Sequence, residues 1–403
     1  MANFNLMSEL NRAGPQRIVL LILDGLGGLP IEPGGMTELE AAKTPNLDQL
    51  ASEGILGQII SIAHGITPGS GPAHLSLFGY DPLEYGVGRG VLEASGVGMK
   101  VKKGDVAARG NFCTVDEHGY ISDRRAGRIA TEEALPLTKR LAEIQIPGVQ
   151  TEVRHVKEYR FAIVMSGDGL EPDLRDTDPQ RTGVPPLPVQ SDSKNAQKTA
   201  DLYNQWIAEA RELLKDEPKA NALTLRGFST DPEFPQFEDI YGLNPVCVAV
   251  YPMYKGVSCL VGMDVKDFSG DKPEDEFAVV STIWSSYDFF FVHIKKTDSM
   301  GEDGNFDGKV SVIESVDTAL PALIQLAPDV LAVTGDHSTP SLLRKHSWHS
   351  IPLLLWAPSS VRPDDQNVFG ESSCARGGLG TFHATSLMPL LLAHAGRLEK
   401  YGA

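Results

Sequence analysis

The sequence lacks the features that define several classes of protein. Its four cysteines stand far apart in 403 residues and form no C-x-x-C pair, which disfavours a zinc knuckle or dithiol redox site and indicates free thiols. No apolar run is long enough to span a membrane, and residues 1–16 lack the basic start and apolar stretch of a secretory signal. Lys and Arg number 36 against 53 Asp and Glu, giving a net charge of −17, which disfavours a nucleic-acid backbone as partner. We therefore expect a cytoplasmic protein that binds neither nucleic acid nor membrane.

The residues that are present suit a large α/β protein. Hydrophobic residues make up 41% of the chain, enough for a large core and two domains. Continuous apolar runs are typical of strands buried in a parallel sheet. The predicted strands are Arg17–Leu23, Val246–Val250, Val257–Val261, Asp288–Lys295, Asp329–Thr334 and Ile351–Ala357, and the main later helices are Ser193–Lys215, Gly308–Ala327 and Ser386–Gly396. We predict an α/β fold with a mostly parallel sheet flanked by helices.

A change of composition indicates an inserted module. After Lys103 a new strand pattern begins, and it includes three arginines within Asp123–Arg128. This run is either a solvated face or a clamp for phosphate or carboxylate, which guanidinium groups bind bidentately. The stretch Asp173–Pro188 is rich in Asp and Pro and marks a boundary. The prediction is a catalytic domain of residues 1–104 and 188–403, with a smaller α+β domain, 105–187, inserted in it.

Ser70 stands in a sequence typical of a helix N-terminus. Gly69 and Gly71 leave its backbone unhindered, and Pro72 is tolerated in the first turn of a helix over Ala73–Phe78. The unpaired amides and positive dipole there would stabilise a phosphate or a serine alkoxide. Ser70 is therefore either a nucleophile or an ordinary helix cap.

Acidic residues follow three of the predicted strands. Asp24, Asp298 and Asp336 would meet at one edge of a parallel sheet, where ligands of such sheets collect. Clustered carboxylates repel one another unless cations hold them together. With His337, His346 and the acids Glu302 and Asp303, the set favours manganese or zinc over calcium.

Several motifs, taken in order, resemble the cofactor-independent phosphoglycerate mutases. They are Ile22-Leu23-Asp24-Gly25, Gly-Ser-Gly-Pro-Ala-His at residues 69–74, His293–Asp298, Thr334-Gly335-Asp336-His337 and His346-Ser347. Four others resemble the archaeal-type branch: Asp123–Arg128, Leu225-Arg226-Gly227, Tyr254–Val257 and Lys400–Ala403. The resemblance implies an alkaline-phosphatase superfamily fold and interconversion of 3- and 2-phosphoglycerate in glycolysis and gluconeogenesis, through a phosphoserine and without bisphosphoglycerate.

The resemblance also implies residue roles. Ser70 matches the nucleophile. Two divalent ions are expected, manganese first, with magnesium, zinc or cobalt as alternatives. The ligands implied for one ion are Asp24, Ser70, Asp336 and His337, and those for the other are Asp298, His346 and Glu302, with Asp303 as the substitute for Glu302.

Other residues are expected to handle the substrate. Lys255 would neutralise phosphoryl oxygens, and Asp123 would serve as acid and base. Glycerate would be held by Arg124, Arg125, Arg128 and, as a weaker candidate, Arg226. The inserted domain would close as a lid that excludes water.

The chain departs from the family pattern at three positions. Glu302 replaces a histidine ligand, Gln180 replaces the histidine of Asp-Pro-His, and Gly71 replaces the aspartate of Gly-Ser-Asp-Pro. The alternatives are therefore a metal-dependent phosphatase, phosphodiesterase or phosphopentomutase of the same superfamily, or a non-catalytic relative.

Overall fold

A computed structural model describes residues 3–402 and divides them into two units. The first comprises the described residues up to Gly86 and those from Phe234 onward, and the second is Val87–Glu233. The strands are β1 (Ile18–Leu23), β2 (Ile55–Ile60), β3 (Val106–Val115), β4 (Ile121–Asp123), β5 (Gln150–Lys157), β6 (Arg160–Ser166), β7 (Ala222–Ser229), β8 (Pro245–Ala249), β9 (Asp264–Lys266), β10 (Phe289–Ile294), β11 (Val330–Thr334), β12 (Ile351–Trp356) and β13 (Gly380–His383).

Helices flank these strands. They are α1 (Phe4–Leu10), α2 (Glu38–Ala41), α3 (Pro45–Glu53), α4 (Ser70–Leu77), α5 (Arg89–Gly96), α6 (Thr131–Leu141), α7 (Gln197–Leu214), α8 (Phe237–Tyr241), α9 (Pro252–Leu260), α10 (Pro273–Ile283), α11 (Lys296–Asp303), α12 (Phe306–Ala319), α13 (Pro321–Ile324), α14 (Glu371–Cys374) and α15 (Leu387–His394). Short 3₁₀ helices cover Ala126–Arg128, Trp284–Ser286 and Ala384–Ser386.

The first unit contains an eight-stranded sheet in the order β13-β2-β12-β11-β1-β10-β8-β9. Only β12 runs against the others, since it pairs antiparallel with both β11 and β2 while the other pairings are parallel. All six residues of β1 are completely buried, as its unbroken apolar run predicts for a central strand. Together with the second unit, this sheet confirms the predicted α/β fold class.

The second unit is built on an antiparallel sheet. Its order is β4-β3-β6-β5, and β7 also pairs antiparallel with β3. A separate apolar core lies beneath it, with Phe161, Tyr203 and Trp206 among its fully buried residues. The unit extends beyond residues 105–187 at both ends, because α5, α7 and β7 also pack on this sheet.

Two local predictions were wrong. Residues Val257–Val261 do not form a strand; they end α9, which begins at Pro252 and buries Tyr254, Val257 and Ser258. Short apolar runs fit a buried helix as well as a strand. The predicted single helix Gly308–Ala327 is divided at Pro321: α12 ends at Ala319 and α13 starts at Pro321. Within residues 3–402, no helix is long and apolar enough to cross a membrane.

Glu276 is a buried acid in α10 that forms no ion pair within residues 3–402. Only 1% of its surface is exposed, and its Oε2 has no hydrogen-bond partner. Burial, reinforced by Asp275 and Asp271, raises the pKa of Glu276 to about 9 from an ordinary 4.5. The folded protein therefore keeps a proton here that the unfolded chain releases, so stability falls as the pH rises from 4.5 to 9.

We expect Glu276→Gln to stabilise the protein by roughly 1–3 kcal/mol at pH 7.5 and to have little effect near pH 5. Urea unfolding at pH 5, 7.5 and 9 measures this difference. Glu274→Gln, at an exposed position of the same helix, is the matched control. An equal effect of the two substitutions at every pH would contradict the prediction.

Candidate metal centre and nucleophile

Three buried carboxylates lie at one edge of the large sheet. Strand β1 lies between β11 and β10, and all three run parallel, so their carboxyl ends are neighbours. Asp24 and Asp336 follow β1 and β11 and are fully buried, and Asp298, in the first turn of α11 after β10, is 2% exposed. The predicted convergence of the three acids is therefore present.

The first ligand group consists of Asp24, Asp336 and His337. One candidate ligand atom from each lies within 4.8 Å of the others. His337 Nε2 lies 3.4 Å from Asp24 Oδ1 and 3.1 Å from Asp336 Oδ2. Ser70 Oγ lies 3.3 Å from the same nitrogen. The predicted nucleophile is therefore adjacent to this group.

The second ligand group consists of Asp298, His337 and His346. His346 Nε2 lies 3.5 Å from Asp298 Oδ1, and the rings of His337 and His346 stack with centroids 3.6 Å apart. His337 thus belongs to both groups, whereas the sequence assigned it to one. Glu302 Oε1 lies 4.0 Å from His346 Nε2, with 56% of its side chain exposed. Neither Glu302 nor the exposed Asp303 belongs to either ligand group.

The charges of Asp24 and Asp336 are coupled. Burial raises the pKa of Asp336 well above its ordinary value, and the nearby charge of Asp24 adds to this. Burial opposes ionisation of Asp24 too, but Lys295 and neighbouring histidines hold its pKa well below the ordinary value. Ionisation of Asp336 beside the charge of Asp24 is therefore unfavourable unless a cation compensates both carboxylates.

The donor set fits a divalent cation. Asp24 Oδ1 and Asp336 Oδ2 are buried and have no hydrogen-bond partner, so both oxygens are available as ligands. Burial holds the pKa of His337 well below its ordinary value, so its ring is neutral. Thr339 Oγ1 donates to Asp298 Oδ1 at 2.7 Å and lies 3.0 Å from His337 Nδ1. Because that hydroxyl proton is used on Asp298, His337 Nδ1 donates to Thr339 and Nε2 keeps its lone pair for an ion.

Ser70 is the first residue of α4, as its sequence context predicts. Gly69 caps the helix with extended backbone, and no side chain caps the first turn. His74 Nδ1 donates to the Ser70 carbonyl at 2.7 Å. Pro72 has no N–H and Ala73 N donates to Gly69 O, so the amides of Ser70 and Gly71 are the first-turn groups that favour negative charge at the serine.

Two residues at the first ligand group were missed by the sequence analysis. Lys295 Nζ lies 3.0 Å from Asp24 Oδ2 and also pairs with Asp298 Oδ2. Tyr254 donates its hydroxyl proton to Asp24 Oδ2. The available signal for Lys295 was its position at the end of an apolar strand, three residues before the acid Asp298. The sequence analysis missed Tyr254 because it predicted a strand at Val257–Val261 and did not recognise the helix that contains Tyr254.

Lys255 has a different environment from the one expected. It lies within α9 rather than on a turn, and its Nζ pairs with Asp267 Oδ1 at 2.6 Å. It is in neither ligand group, and its role in catalysis stays a prediction.

The second unit brings two of the predicted arginines together. Arg124 binds Asp178 through two bonds, Nε to Oδ1 at 3.0 Å and Nη2 to Oδ2 at 2.7 Å. Arg226 lies 3.5 Å from the same carboxylate and donates to Asp176 Oδ2 at 3.2 Å. The side chain of Asp178 is only 3% exposed, so it holds both guanidinium groups in fixed positions.

The remaining predicted residues form the neighbouring turn. Asp123 accepts hydrogen bonds from the backbone amides of Arg125 and Gly127 at 2.7 and 2.8 Å. Ala126, Gly127 and Arg128 all have positive φ, at 49°, 65° and 50°, which is strained for the two non-glycine residues. Arg125 and Arg128 are exposed. Asp123 thus anchors a strained turn that presents two arginines to solvent.

Known proteins match the chain along its whole length. The family model of 2,3-bisphosphoglycerate-independent phosphoglycerate mutases matches residues 51–220. A probable mutase of this kind from Thermus thermophilus is 51% identical over 404 residues, covering 99% of each chain. Another from Aquifex aeolicus is 50% identical over 408 residues, covering 99% of this chain and all of its own. The solved cofactor-independent phosphoglycerate mutase from Thermoplasma acidophilum is 33% identical with a TM-score of 0.71, covering 94% of this chain and all of its own.

A serine beside buried carboxylate and imidazole groups at the edge of a mostly parallel sheet is suited to metal-dependent phosphoryl transfer. The sequence similarity to known mutases over the full length narrows this class to one family. The chain belongs to the 2,3-bisphosphoglycerate-independent phosphoglycerate mutase family, and the predicted reaction class, an isomerase, is confirmed.

Removing the charge of Lys295 tests the electrostatics of the two ligand groups. Burial would lower the pKa of Lys295, but Asp24 and Asp298 raise it above its ordinary value, so the ammonium compensates both carboxylates. We expect Lys295→Met to destabilise the ion-free protein by about 3 kcal/mol. Mn²⁺ should then raise its melting temperature more than that of the wild type, because the ion replaces the lost charge.

The matched control for this prediction is Lys296→Met. Lys296 pairs with Asp271, and both side chains are about half exposed, so its loss should cost less than about 1 kcal/mol. Calorimetry with and without Mn²⁺ measures both variants. Equal effects of the two substitutions would refute the compensating role of Lys295.

Proposed function

We propose that this chain interconverts 3-phosphoglycerate and 2-phosphoglycerate through a phosphoserine at Ser70, with two divalent ions, manganese being the physiological one. The observation that supports this most directly is Ser70 Oγ at 3.3 Å from Nε2 of His337, a residue that belongs to both ligand groups. Carboxylate and imidazole donors together suit manganese.

The ions would be held by the side chains that already cluster. Asp24, Asp336, His337 and Ser70 would bind one, and Asp298 and His346 the other, with Glu302 or else Asp303 completing its set. Bound divalent ions would neutralise phosphoryl oxygens and lower the pKa of the Ser70 hydroxyl.

The first half of the reaction phosphorylates Ser70. Its oxygen bonds to phosphorus and loses its proton, while the bond from phosphorus to glycerate O3 breaks and O3 gains a proton. The free amides of the first turn of α4 stabilise the negative charge on the serine and the phosphoryl group. Lys295, at 3.0 Å from Asp24 Oδ2, supplies a further positive charge at the same edge of the sheet, and Lys255 stays a second candidate for neutralising phosphoryl oxygens.

The second half returns the phosphoryl group to the other hydroxyl. Glycerate O2 bonds to phosphorus and loses its proton as the bond to Ser70 breaks. We assign the grip on the glycerate carboxylate to Arg124 and Arg226, since Asp178 fixes both guanidinium groups, with Arg125 and Arg128 beside them. Asp123 is our candidate for the proton transfers at O2 and O3. By retaining glycerate, the second unit, as the proposed lid domain, would favour isomerisation over hydrolysis.

We also propose that the reaction takes place in the cytoplasm. All four cysteines are free thiols and three of them are buried, which fits a reducing compartment.

The proposed function is tested by phosphorus NMR of 3-phosphoglycerate with chelator-stripped protein and added Mn²⁺, Mg²⁺, Zn²⁺ or Co²⁺. We expect conversion to 2-phosphoglycerate with little free phosphate, fastest with Mn²⁺, and a loss of at least about 10³-fold in Ser70→Ala because the nucleophile is missing. Free phosphate as the main product would identify a hydrolase. Conversion by Ser70→Ala at the wild-type rate would exclude the phosphoserine route.

The grip on glycerate is tested separately by Arg124→Met. Loss of a bidentate cation for the carboxylate should raise KM for 3-phosphoglycerate at least about tenfold and increase the share of free phosphate released. Arg175→Met, which removes a more exposed pair with Asp192 in the same unit, should leave both quantities unchanged. Steady-state kinetics with a phosphate-release assay measures them, and an unchanged KM in Arg124→Met would remove Arg124 from the substrate site.

A further inference from the structure

Lys309 is a completely buried lysine whose ammonium is bound only by backbone carbonyls. It lies in α12 and has no exposed surface. Its Nζ donates to Gly25 O at 2.8 Å, Gly27 O at 3.0 Å and Thr339 O at 2.9 Å. These three bonds use all of its protons. This is the ligand set that a small monovalent cation would have.

The three carbonyls belong to the two loops that carry the first ligand group. Residues 24–29, the first ligand loop, follow β1 and begin with Asp24. Residues 335–341, the second ligand loop, follow β11 and contain Asp336 and His337. A single ammonium therefore ties together the two loops whose side chains form the group.

Two carboxylates, the fully buried Glu38 and the partly buried Glu371, bind the amides of the same loops. Glu38 accepts from Leu29 N at 3.2 Å and from Ser341 N at 2.7 Å. Glu371 accepts from Gly28 N at 2.8 Å. The loop carbonyls thus face a cation and the loop amides face anions, which fixes the backbone of both loops from within the protein.

The loop backbone is connected directly to the ligand atoms. Gly25 N donates to Asp336 Oδ1 at 3.0 Å, and Thr339 binds Lys309 through its carbonyl while its hydroxyl contacts Asp298 and His337. A shift of either loop would therefore move ligand atoms of both groups.

We propose that Lys309 is a positioning residue, a built-in monovalent cation that holds the two ligand loops in register and thereby sets the affinity of the site for divalent ions. The proposal rests on the proposed ion site. Lys309 touches no ligand side chain and acts through the carbonyls of Gly25, Gly27 and Thr339.

Lys309→Ala in the full chain, titrated with Mn²⁺ by electron paramagnetic resonance, tests the proposal. We expect Mn²⁺ to bind about tenfold or more weakly, as is usual when a residue that supports metal ligands is removed. n-Propylammonium, which replaces the atoms removed from the side chain, should raise the Mn²⁺ affinity of Lys309→Ala at least about fivefold. Tetramethylammonium, which cannot donate hydrogen bonds to the carbonyls, should restore none.

Ile313→Ala is the matched control, because Ile313 is a fully buried core residue one turn further along α12. It should lower the melting temperature while leaving Mn²⁺ affinity within about twofold of the wild type. Wild-type Mn²⁺ affinity in Lys309→Ala, equal weakening in Ile313→Ala, or no rescue by n-propylammonium would each overturn the proposal. A variant that stays unfolded with every cation would also overturn it, since Lys309 would then serve folding alone. Absence of Mn²⁺ binding by the wild type would instead be a failure of the proposed function.

Discussion

The repulsion between Asp24 and Asp336 is the constraint on which the site depends. Both carboxylates are fully buried, at the ends of adjacent parallel strands, and each has an oxygen without a hydrogen-bond partner. Buried like charges cannot both ionise unless a cation joins them. Lys295 supplies part of that charge at Asp24, and burial together with the charge of Asp24 raises the pKa of Asp336. A divalent ion would compensate the charges of both carboxylates, so this arrangement favours the binding of such an ion.

The surrounding fold keeps this unfavourable arrangement in place. The central strands are completely buried, so the loops after β1 and β11 start from fixed points. The backbone of these loops is then bound by the side chains of Lys309, Glu38 and Glu371. In the second unit buried Asp178 holds Arg124 and Arg226. In each unit charged side chains thus fix the groups that would meet an ion or a substrate.

Much of the fold could be predicted because apolar runs ending in an acid identify both strand and strand end, as for Asp24 and Asp336. Val257–Val261 was misassigned because five apolar-rich residues fit a strand or a helix, and that error hid Tyr254. Lys309 escaped prediction because its partners are distant: it lies 284 positions from Gly25, and nothing local to it indicates the contact. The extent of the second unit was underestimated for a similar reason, since β7 joins its sheet from beyond the Asp- and Pro-rich stretch.

Rapid acid quenching during turnover tests directly whether Ser70 carries the phosphoryl group during the reaction. The full chain would be mixed with Mn²⁺ and 3-phosphoglycerate, stopped within one turnover, and digested for mass spectrometry. A phosphoserine route predicts phosphate on the peptide that contains Ser70, formed and consumed at rates that match turnover. Phosphate on another residue, or isomerisation without any phosphorylated peptide, would contradict it.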